Sequence, residues 1–422
     1  MKILWITNIL FPEAESLLRK TQVDLKASGG WLTSMADSLV ENTDVQLTIA
    51  TVCHFTKKLE VIEGNKYKYV VFPYGNGNYK YNTEYETFWK IIDEMILPDV
   101  VHIHGTEYTH GLAYVNACGN TNVVVSIQGL VSEISKRYMA GISVFDFLRT
   151  LTIKDVIKGH SMFALKEMYR IRGIYEIELL KKVHYVCGRT TWDRACAYNI
   201  NRSIDYYSCG EILRSDFYKG VWSYEGCEKH SIFLSQSYYP LKGLHKVIEA
   251  VSLVKNIYPD VQVKIAGENI TCYNSIMDKL KISGYGTYIR KLLKKYNLAK
   301  NVVFVGPLNA EEMKKHYLSC NVFVCSSSLE NSPNSIAEAQ LLGVPVIGSY
   351  VGGIPDLIEN KRMGILYPFD DINLLAYSIC NVFNNDMDID LEYTRQRARA
   401  RHCESTIRQQ LLDIYNLICS KA

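Results

Sequence analysis

The sequence predicts an α/β fold with two domains, and three observations point to it. Short apolar runs alternate with amphipathic helical patterns, which is typical of parallel sheets. This alternation breaks over residues 131–182 and restarts beyond a connection near residues 205–225. The length of 422 residues also fits two domains, at roughly 100–200 residues each. We therefore expect two Rossmann-like domains with parallel sheets that face each other across a cleft.

The first half contains five predicted strands followed by turns or polar residues. They lie at residues 2–7, 45–52, 100–105, 123–127 and 183–187. A helix is predicted from about Trp31 to Val40, and residues 131–182 have a long helical pattern rich in basic and apolar side chains. We assign residues 1–210 to an N-terminal domain on this basis.

The second half repeats the architecture without repeating the sequence. Its predicted strands lie at residues 231–235, 261–266, 301–305, 322–325 and 344–347. We assign residues 211–403 to a C-terminal domain and expect a last helix, about 404–422, to pack back on the N-terminal domain. Because open α/β sheets bind ligands beyond the carboxyl ends of their strands, polar residues at those ends are the candidate site residues.

Composition and charge exclude several classes of protein. The net charge is +3 without long charged blocks, so nucleic acid is not an expected partner. The twelve cysteines include no C-x-x-C pair, which argues against a disulfide framework or a zinc site. No apolar run approaches the roughly 18 residues of a membrane span, and no cleavage site follows the short apolar start. These features predict a cytoplasmic protein.

Two glutamates, Glu330 and Glu338, stand eight positions apart at a predicted helix start. Ser332 suits the cap of that helix and Pro333 its first turn. Asn334 and Ser335 would then present free backbone amides, which bind phosphate at a helix N-terminus.

The separation of the glutamates distinguishes two kinds of chemistry. Eight helical residues span about 12 Å, whereas glycosidase carboxylates stand about 5–9.5 Å apart. The spacing therefore favours two contacts with one elongated ligand, one to a sugar and one to a ribose, with phosphates in between. A solvated loop glutamate and a helix-surface glutamate are the alternative.

The segment Glu330–Glu338 matches the E-x7-E motif of retaining glycosyltransferases of family 4, which have the GT-B fold, and the chain resembles that family over most of its length. The resemblance is strongest from Ser231 to Phe369. An ordered series of motifs carries it: Lys242-Gly243, Ile265–Gly267, Val303–Leu308, Glu330–Glu338, Gly343–Ile347 and Gly352–Asp356.

The resemblance implies a role for each matching residue of the donor site. Glu330 would contact the transferred sugar, Glu338 the ribose, and Lys242 the diphosphate. Amides near Asn334 and Ser335 would hold the distal phosphate. Further donor contacts are expected at Gly29, Gly30, Gly267, Gly306, Pro307, Leu308 and Ser332.

Two positions depart from the family pattern. Ser237 stands where the family has an arginine five positions before the lysine, and Arg189 or Arg214 could supply the missing cation. Gln128 stands where the family often has a histidine. Glutamine can hydrogen-bond a sugar but cannot act as a base, which the family's retaining mechanism does not require.

The acceptor side is predicted from polar residues at strand ends. His102 and His104 alternate along one strand and share a face, but no third metal ligand is near them in sequence. We expect His104 to be catalytic, together with Glu330 and Lys242 of the donor site. His102, Gln128 and Arg189 are expected to contact acceptor or sugar. Structural histidines and a local salt bridge are the alternatives.

Together these features predict metal-independent, retaining transfer from a nucleotide-diphosphate sugar, UDP-sugar before GDP-sugar, without a cofactor. The acceptor would be a hydroxyl of a glycan or lipid-linked glycan in surface polysaccharide synthesis. A nucleotide-sugar epimerase, a phosphorylase and a catalytically idle sugar-nucleotide binder are the alternatives. The basic amphipathic pattern of residues 131–182 predicts peripheral contact with an anionic membrane at its inner face, with ordinary domain helices as the alternative.

Overall fold

The computed structural model describes residues 1–20, 30–75, 80–273 and 275–421. These divide into two compact units. Unit 1 holds the described residues of 1–135, 168–213 and 402–421, and unit 2 holds 136–167 and those of 214–401. Residues 136–167 therefore belong to unit 2, whereas the sequence placed them in the N-terminal domain.

The sheet of unit 1 is parallel except at one edge. Its strands are β1 (Lys2–Thr7), β2 (Gln46–Cys53), β3 (Glu60–Glu63), β4 (Lys68–Pro73), β5 (Val100–His104), β6 (Val123–Ser126), β7 (Tyr185–Gly188) and β8 (Asp205–Ser208). They lie in the order β3-β4-β2-β1-β5-β6-β7-β8, and among the described residues only β3 runs antiparallel to its neighbour. The edge strands β3 and β8 escaped prediction because they are half exposed and lack an apolar run.

Helices flank the strands of the first half of the chain. They are α1 (Pro12–Arg19), α2 (Gly30–Glu41), α3 (Glu84–Ile96), α4 (His110–Cys118), α5 (Val131–Arg137), α6 (Val144–Thr150), α7 (Ile153–Lys158), α8 (Met162–Lys182) and α9 (Thr191–Ile200). Of these, α6 packs against a later helix of unit 2 that begins at Gly284. This packing is the physical reason why residues 136–167 join unit 2.

The sheet of unit 2 is entirely parallel among the described residues. Its strands are β9 (Ser231–Leu234), β10 (Gln262–Ala266), β11 (Val302–Gly306), β12 (Val322–Cys325), β13 (Val346–Ser349) and β14 (Ile365–Tyr367). The order β11-β10-β9-β12-β13-β14 is that of doubly wound nucleotide-binding sheets. Its direction of winding reverses between β9 and β12, and the same reversal occurs in unit 1 between β1 and β5.

The later helices are α10 (Leu244–Val254), α11 (Ile276–Lys281), α12 (Gly284–Lys295), α13 (Ala310–Ser319), α14 (Asn334–Leu342), α15 (Ile354–Leu357), α16 (Ile372–Phe383), α17 (Leu391–Arg401) and α18 (Glu404–Lys421). The second half of α17 is rich in arginine, with four arginines at positions 395, 397, 399 and 401. Across the described part of the chain, no helix combines the length and apolarity needed to cross a membrane.

The C-terminal helix α18 completes the core of unit 1. It buries five side chains beside β1: Ile407, Leu411, Ile414, Tyr415 and Ile418. The Tyr415 hydroxyl accepts a hydrogen bond from Trp5 Nε1 at 2.9 Å and lies 2.6 Å from Nδ1 of His102. A buried polar network therefore ties α18 to β1 and β5.

Replacing this hydroxyl tests the network. Tyr415→Phe leaves Trp5 Nε1 and His102 Nδ1 buried without a partner, so the free energy of unfolding should fall by about 1–3 kcal/mol. Urea denaturation measures it. Tyr377→Phe, at a tyrosine that is 62% exposed, should stay within about 0.5 kcal/mol of the parent, and equal losses in both variants would contradict the network's role.

Candidate active site

A pocket of unit 2 lies at the carboxyl ends of β9 and β12, where the winding reverses. Ligands of doubly wound sheets bind at such a point because the connections leave the two strands in opposite directions and open a crevice. The pocket is lined by Leu234, Ser235, Gln236, Lys242, Val324, Cys325, Ser326, Ser327, Glu330 and Ser335. Three of the predicted donor-site residues, Lys242, Glu330 and Ser335, thus meet here.

Lys242 and Glu330 form an ion pair in this pocket. The lysine Nζ lies 2.5 Å from Oε1 of the glutamate, and Ser327 Oγ donates to the same oxygen at 2.6 Å. Burial by itself would lower the pKa of Lys242, but the adjacent Glu330 carboxylate, together with Tyr239 and Cys325, raises that pKa. The lysine is therefore held as a cation, beside a carboxylate that already accepts two hydrogen bonds.

Two glycines allow the loops of this pocket to approach each other. Gly243 has φ of +70°, and a Cβ there would lie 1.8 Å from the Ser326 carbonyl oxygen. Gly352 has φ of +53°, and its Cβ would lie 1.9 Å from the Glu330 carbonyl oxygen. Both positions exclude a side chain, so the Lys-Gly and Gly-Gly motifs of the sequence serve the backbone geometry that places Lys242 and Glu330.

The helix α14 begins one residue later than the sequence predicted. Pro333, not Ser332, is its N-cap, and no side chain caps it. The Pro333 carbonyl accepts the amide of Ile336 at 3.0 Å, which leaves Ser332 outside the first turn. The amides of Asn334 and Ser335 precede any intrahelical carbonyl partner and suit an anion.

Glu338 lies inside α14 and is 5% exposed. Its Oε1 accepts from Arg214 Nη2 at 2.7 Å and Nε at 3.3 Å, and Tyr317 lies 3.5 Å from Oε2. Burial raises the pKa of Glu338, although Arg214 opposes that rise. A ribose would have to share this carboxylate with Arg214. Because Arg214 is paired with Glu338, it does not replace the cation that is missing at position 237, where the serine is buried.

The other predicted donor residues lie at neighbouring strand ends of unit 2 or at the start of α2. Gly267 donates to the Gly306 carbonyl at 2.8 Å across the ends of β10 and β11. A Cβ at either glycine would meet nothing within 4 Å. Pro307 and Leu308 follow β11 directly. Gly30 begins α2, whereas Gly29 lies outside the described residues.

A small cavity of unit 1 lies at the carboxyl ends of β5, β6 and β7. It is lined by Trp31, Met35, His102, His104, Ser126, Ile127, Gln128, Cys187, Gly188, Arg189, Cys209, Gly210 and Glu211. The structure therefore brings His104 together with the three residues predicted for acceptor or sugar contact, His102, Gln128 and Arg189. Their environments differ, and the differences show which of these side chains belong to the core and which still have polar atoms that could contact a ligand.

His102 is a structural residue, contrary to the predicted sugar contact. It is 1% exposed, and its ring nitrogens lie 2.6 Å from Tyr415 Oη and from Ser126 Oγ. Burial lowers the pKa of His102 to about 3. Because both nitrogens are engaged inside the core, the ring has no polar atom left for a ligand.

His104 is different because neither ring nitrogen has a hydrogen-bond partner, although the residue is only 2% exposed. Its ring stacks on His102 with centroids 3.8 Å apart and lies 4.3 Å from Trp5. Burial, reinforced by His102, lowers the pKa of His104 well below its ordinary value. The cavity thus holds a neutral imidazole with one unused donor and one unused acceptor.

Arg189 is anchored within unit 1. Its guanidinium pairs with the carboxylate of Glu211, and both side chains are at most 10% exposed. A second nitrogen, Nη2, donates to the Gln128 carbonyl at 3.1 Å. Arg189 therefore fixes the loop after β6 as well as a charge in the cavity wall. Within the described residues, no group of three or more His, Cys, Asp or Glu is arranged to hold a metal ion.

Two carboxylates of unit 1, Glu107, which is partly buried, and Glu176, which is buried, were not predicted from the sequence. Glu107 follows β5 and accepts from Asn8 Nδ2 at 2.6 Å, so it bridges the ends of β1 and β5 where the winding reverses. The sequence could have indicated Glu107 as a candidate site residue, because it is a carboxylate only three residues after His104, beyond the end of a predicted strand. Burial raises the pKa of Glu107, against the effect of Arg172.

Glu176, in α8, had no sequence signal because the surrounding helix is rich in charges. Its carboxylate accepts from Thr106 Oγ1 at 2.7 Å and from the amides of Val131 and Ser132, each at 2.9 Å. It thereby joins the loop after β5 to the N-terminus of α5. These segments flank His104 and Gln128, so Glu176 positions both.

Comparison with known proteins relates unit 2 to one family. Residues 227–401 match the family model described as "Glycosyl transferases group 1". The chain is 27% identical over 181 residues to the putative colanic acid biosynthesis glycosyltransferase WcaL of Escherichia coli. This alignment covers 41% of the chain and 40% of the relative, so the chain spans about two fifths of the length of the curated relatives it matches.

Solved structures extend the similarity to the whole chain at the level of the fold. Sucrose-phosphate synthase from Thermosynechococcus elongatus superposes with a TM-score of 0.70 at 17% identity and full coverage of both chains. Anabaena HepE, solved in complex with UDP-glucose, gives a TM-score of 0.64 at 15% identity and 99% coverage of both chains. The predicted GT-B fold class, with two parallel-sheet α/β domains, is confirmed.

Substituting Gly243 tests the close approach that places Lys242. Gly243→Ala adds left-handed strain and a clash with Ser326, so the free energy of unfolding should fall by about 2–5 kcal/mol. Gly159→Ala is the matched control, because Gly159 has φ of +59° and open space around a Cβ. Its loss should be only about 1–2 kcal/mol. Equal losses, measured by urea denaturation, would contradict the steric argument.

The pH dependence of stability tests Glu176. Burial raises the pKa of Glu176 from 4.5 to about 7, despite hydrogen bonds from Ser132 and Thr106. Between these values the folded state binds more protons than the unfolded state, so the free energy of unfolding falls as pH rises. The advantage of the parent over Glu176→Gln should shrink by up to about 3 kcal/mol from pH 4.5 to 7. Denaturation at several pH values measures it, and an advantage that grows with pH would refute it.

Proposed function

We propose that the protein is a retaining glycosyltransferase of family 4 that moves a sugar from a UDP-sugar onto a hydroxyl. One observation carries the proposal: Lys242, Glu330 and the N-terminus of α14 converge on a single pocket where the sheet of unit 2 reverses its winding. Lysine and free amides suit a diphosphate, and a carboxylate suits sugar hydroxyls. The glycosyl transferases group 1 match, residues 227–401, spans all three features.

In the proposed reaction the bond from the anomeric carbon to the diphosphate oxygen breaks, and a bond to the acceptor oxygen forms on the same face. The leaving phosphate takes the acceptor proton. Lys242 and the amides of Asn334 and Ser335 stabilise the charge on the leaving diphosphate, and Glu330 holds the sugar. Glu338 holds the ribose together with Arg214. No side-chain base is needed, which accommodates glutamine at position 128.

The acceptor proposal rests on unit 1 and on the relatives. The neutral His104 ring, Gln128 and the anchored Arg189 suit an uncharged hydroxyl better than a phosphate. HepE was solved with UDP-glucose, and the E. coli relative is named for colanic acid biosynthesis. We therefore propose UDP as the nucleotide and a glycan or lipid-linked glycan of a surface polysaccharide as the acceptor, with transfer in the cytoplasm.

A catalytically idle sugar-nucleotide binder is the alternative that one observation favours. Ser237 leaves the pocket with one cation, and that cation is already paired with Glu330. A nucleotide-sugar epimerase is a further alternative. A transferase releases UDP in step with a new glycosidic product only when acceptor is present. An epimerase converts the donor without acceptor, and an idle protein binds UDP without turnover.

Substituting the two glutamates separates their proposed roles. Glu330→Gln should lower the transfer rate about 10²–10³-fold, with the Kd of UDP largely unchanged, because this side chain faces the sugar. Glu338→Gln should raise the Kd of UDP about tenfold, equivalent to about 1.4 kcal/mol. Calorimetry and a product assay measure the two effects. Identical behaviour of the variants would refute the division of roles.

Arg214→Gln is the control for Glu338→Gln. Both variants break the buried ion pair, but Arg214→Gln keeps the carboxylate. If the ribose contact is real, Glu338→Gln should weaken UDP binding more than Arg214→Gln does. Equal weakening would assign the loss to the broken pair. Thermal unfolding of each variant, with and without UDP, checks that the protein remains folded.

The stereochemistry and the metal requirement are tested in one reaction mixture. The anomeric configuration of the donor sugar should be retained in the product, as read by NMR. The initial rate should be unchanged by excess EDTA, because Lys242 and helix amides would take the place of a metal at the diphosphate. An inverted product would refute the proposed mechanism, and loss of activity restored by a divalent cation would refute metal independence.

A further inference from the structure

Helices α6 and α7 present an apolar surface that unit 2 does not cover. Its members are between 58% and 78% exposed and lie at helical spacing on one side of each helix. They are Val144, Phe145 and Leu148 of α6 and Ile153, Val156 and Ile157 of α7. We call these six residues the α6–α7 face.

The opposite sides of both helices are fixed inside unit 2. Phe147 of α6 is buried against Phe163, with ring centroids 4.5 Å apart. Asp155 of α7 is 3% exposed and forms a capping box with Thr152. Since each helix already buries one side in its own unit, the α6–α7 face is a second, outward surface. Phe145 is contacted there by Arg149 of the same helix, whose guanidinium lies 3.7 Å from the ring centroid, and all six side chains stay exposed.

A basic groove borders this face. It has a volume of about 1040 Å³, and Leu151 and Ile153 at the junction of α6 and α7 line one part of it. Its charged lining residues are all cations: Lys279, Arg290, Lys291 and Lys294. None of the four makes an ion pair with a described carboxylate within 4.0 Å. Lys291 Nζ donates to the Arg149 carbonyl at 2.7 Å, and the side chains of Lys279 and Arg290 lie over the Tyr273 ring. Exposed aliphatic side chains thus adjoin positive charge that has no ion pair with a described carboxylate.

We propose that the α6–α7 face docks on the surface of an anionic lipid bilayer. Aliphatic and aromatic side chains enter the boundary between headgroups and acyl chains, while neighbouring lysines and arginines contact anionic headgroups. The groove supplies that charge complementarity. The predicted membrane contact of residues 131–182 narrows to residues 144–157, with the groove cations contributed by α11 and α12. Docking concerns a surface separate from the donor pocket and does not depend on the proposed transfer.

Vesicle flotation of the full chain tests the proposal. The parent protein should float with vesicles that contain phosphatidylglycerol, bind at least tenfold more weakly to phosphatidylcholine alone, and dissociate at high salt. Val156→Glu/Ile157→Glu should weaken binding at least tenfold by placing two carboxylates in the face. Lys279→Gln/Lys294→Gln should weaken binding to the anionic vesicles and reduce its salt dependence.

Matched controls use residues of unit 2 outside the face. Val221→Glu/Ile257→Glu changes two aliphatic side chains that are 62% and 64% exposed, and Lys315→Gln/Lys361→Gln removes two exposed lysines; both should bind vesicles like the parent. The proposal would be overturned if the parent bound anionic and neutral vesicles equally well. It would also be overturned if Val156→Glu/Ile157→Glu bound the anionic vesicles as well as the parent does. A further outcome would also overturn the proposal: neither the parent nor any variant floats with vesicles, and the parent self-associates in ultracentrifugation whereas Val156→Glu/Ile157→Glu does not. A second copy of the chain would then cover the face. UDP binding by each variant shows that the donor pocket is intact.

Discussion

The contact between Lys242 and Glu330 joins the two loops that leave β9 and β12, and the rest of the unit 2 site is arranged around it. At a reversal of winding, two neighbouring strands send their connections in opposite directions, and the crevice between them has no regular backbone partner. The ion pair bridges that crevice, and the Ser327 hydroxyl donates to the Glu330 carboxylate from within the same loop. Gly243 and Gly352 then let the flanking backbone come close enough for the pair to form.

The same topological device carries different electrostatics in unit 1. There the reversal falls between β1 and β5, and Glu107 bridges it by accepting from Asn8. The cavity nearby contains a neutral histidine and an arginine already matched by Glu211. In unit 2, Lys242 is also paired, with Glu330, but it lies in the same pocket as the N-terminus of α14, and the amides of that helix suit the proposed anionic donor. The charge-compensated wall in unit 1 suits the neutral hydroxyl of the proposed acceptor.

Buried polar groups also account for the segments whose positions are hardest to foresee. Tyr415 links α18 to Trp5 and His102 by hydrogen bonds. His102 therefore belongs to the core, although it borders the cavity. Glu176 reaches from α8 to the N-terminus of α5 and to Thr106. Removing the Tyr415 hydroxyl or the Glu176 carboxylate would leave the groups that now bond to it without a hydrogen-bond partner. Unsatisfied polar groups inside a protein lower its stability. These long-range contacts position the site without contacting the proposed ligand.

The sequence by itself determined the GT-B fold class, most of the central strands and the polar residues that end them. Apolar runs, glycines and the Glu330–Glu338 segment are local patterns, and local patterns are readable without the fold. Only the tertiary structure decided that His102 is a core residue, that Arg214 forms an ion pair with Glu338, and that residues 136–167 pack in unit 2. Those outcomes depend on contacts between residues far apart in the chain, where burial and pairing, not spacing, decide which polar atoms remain available.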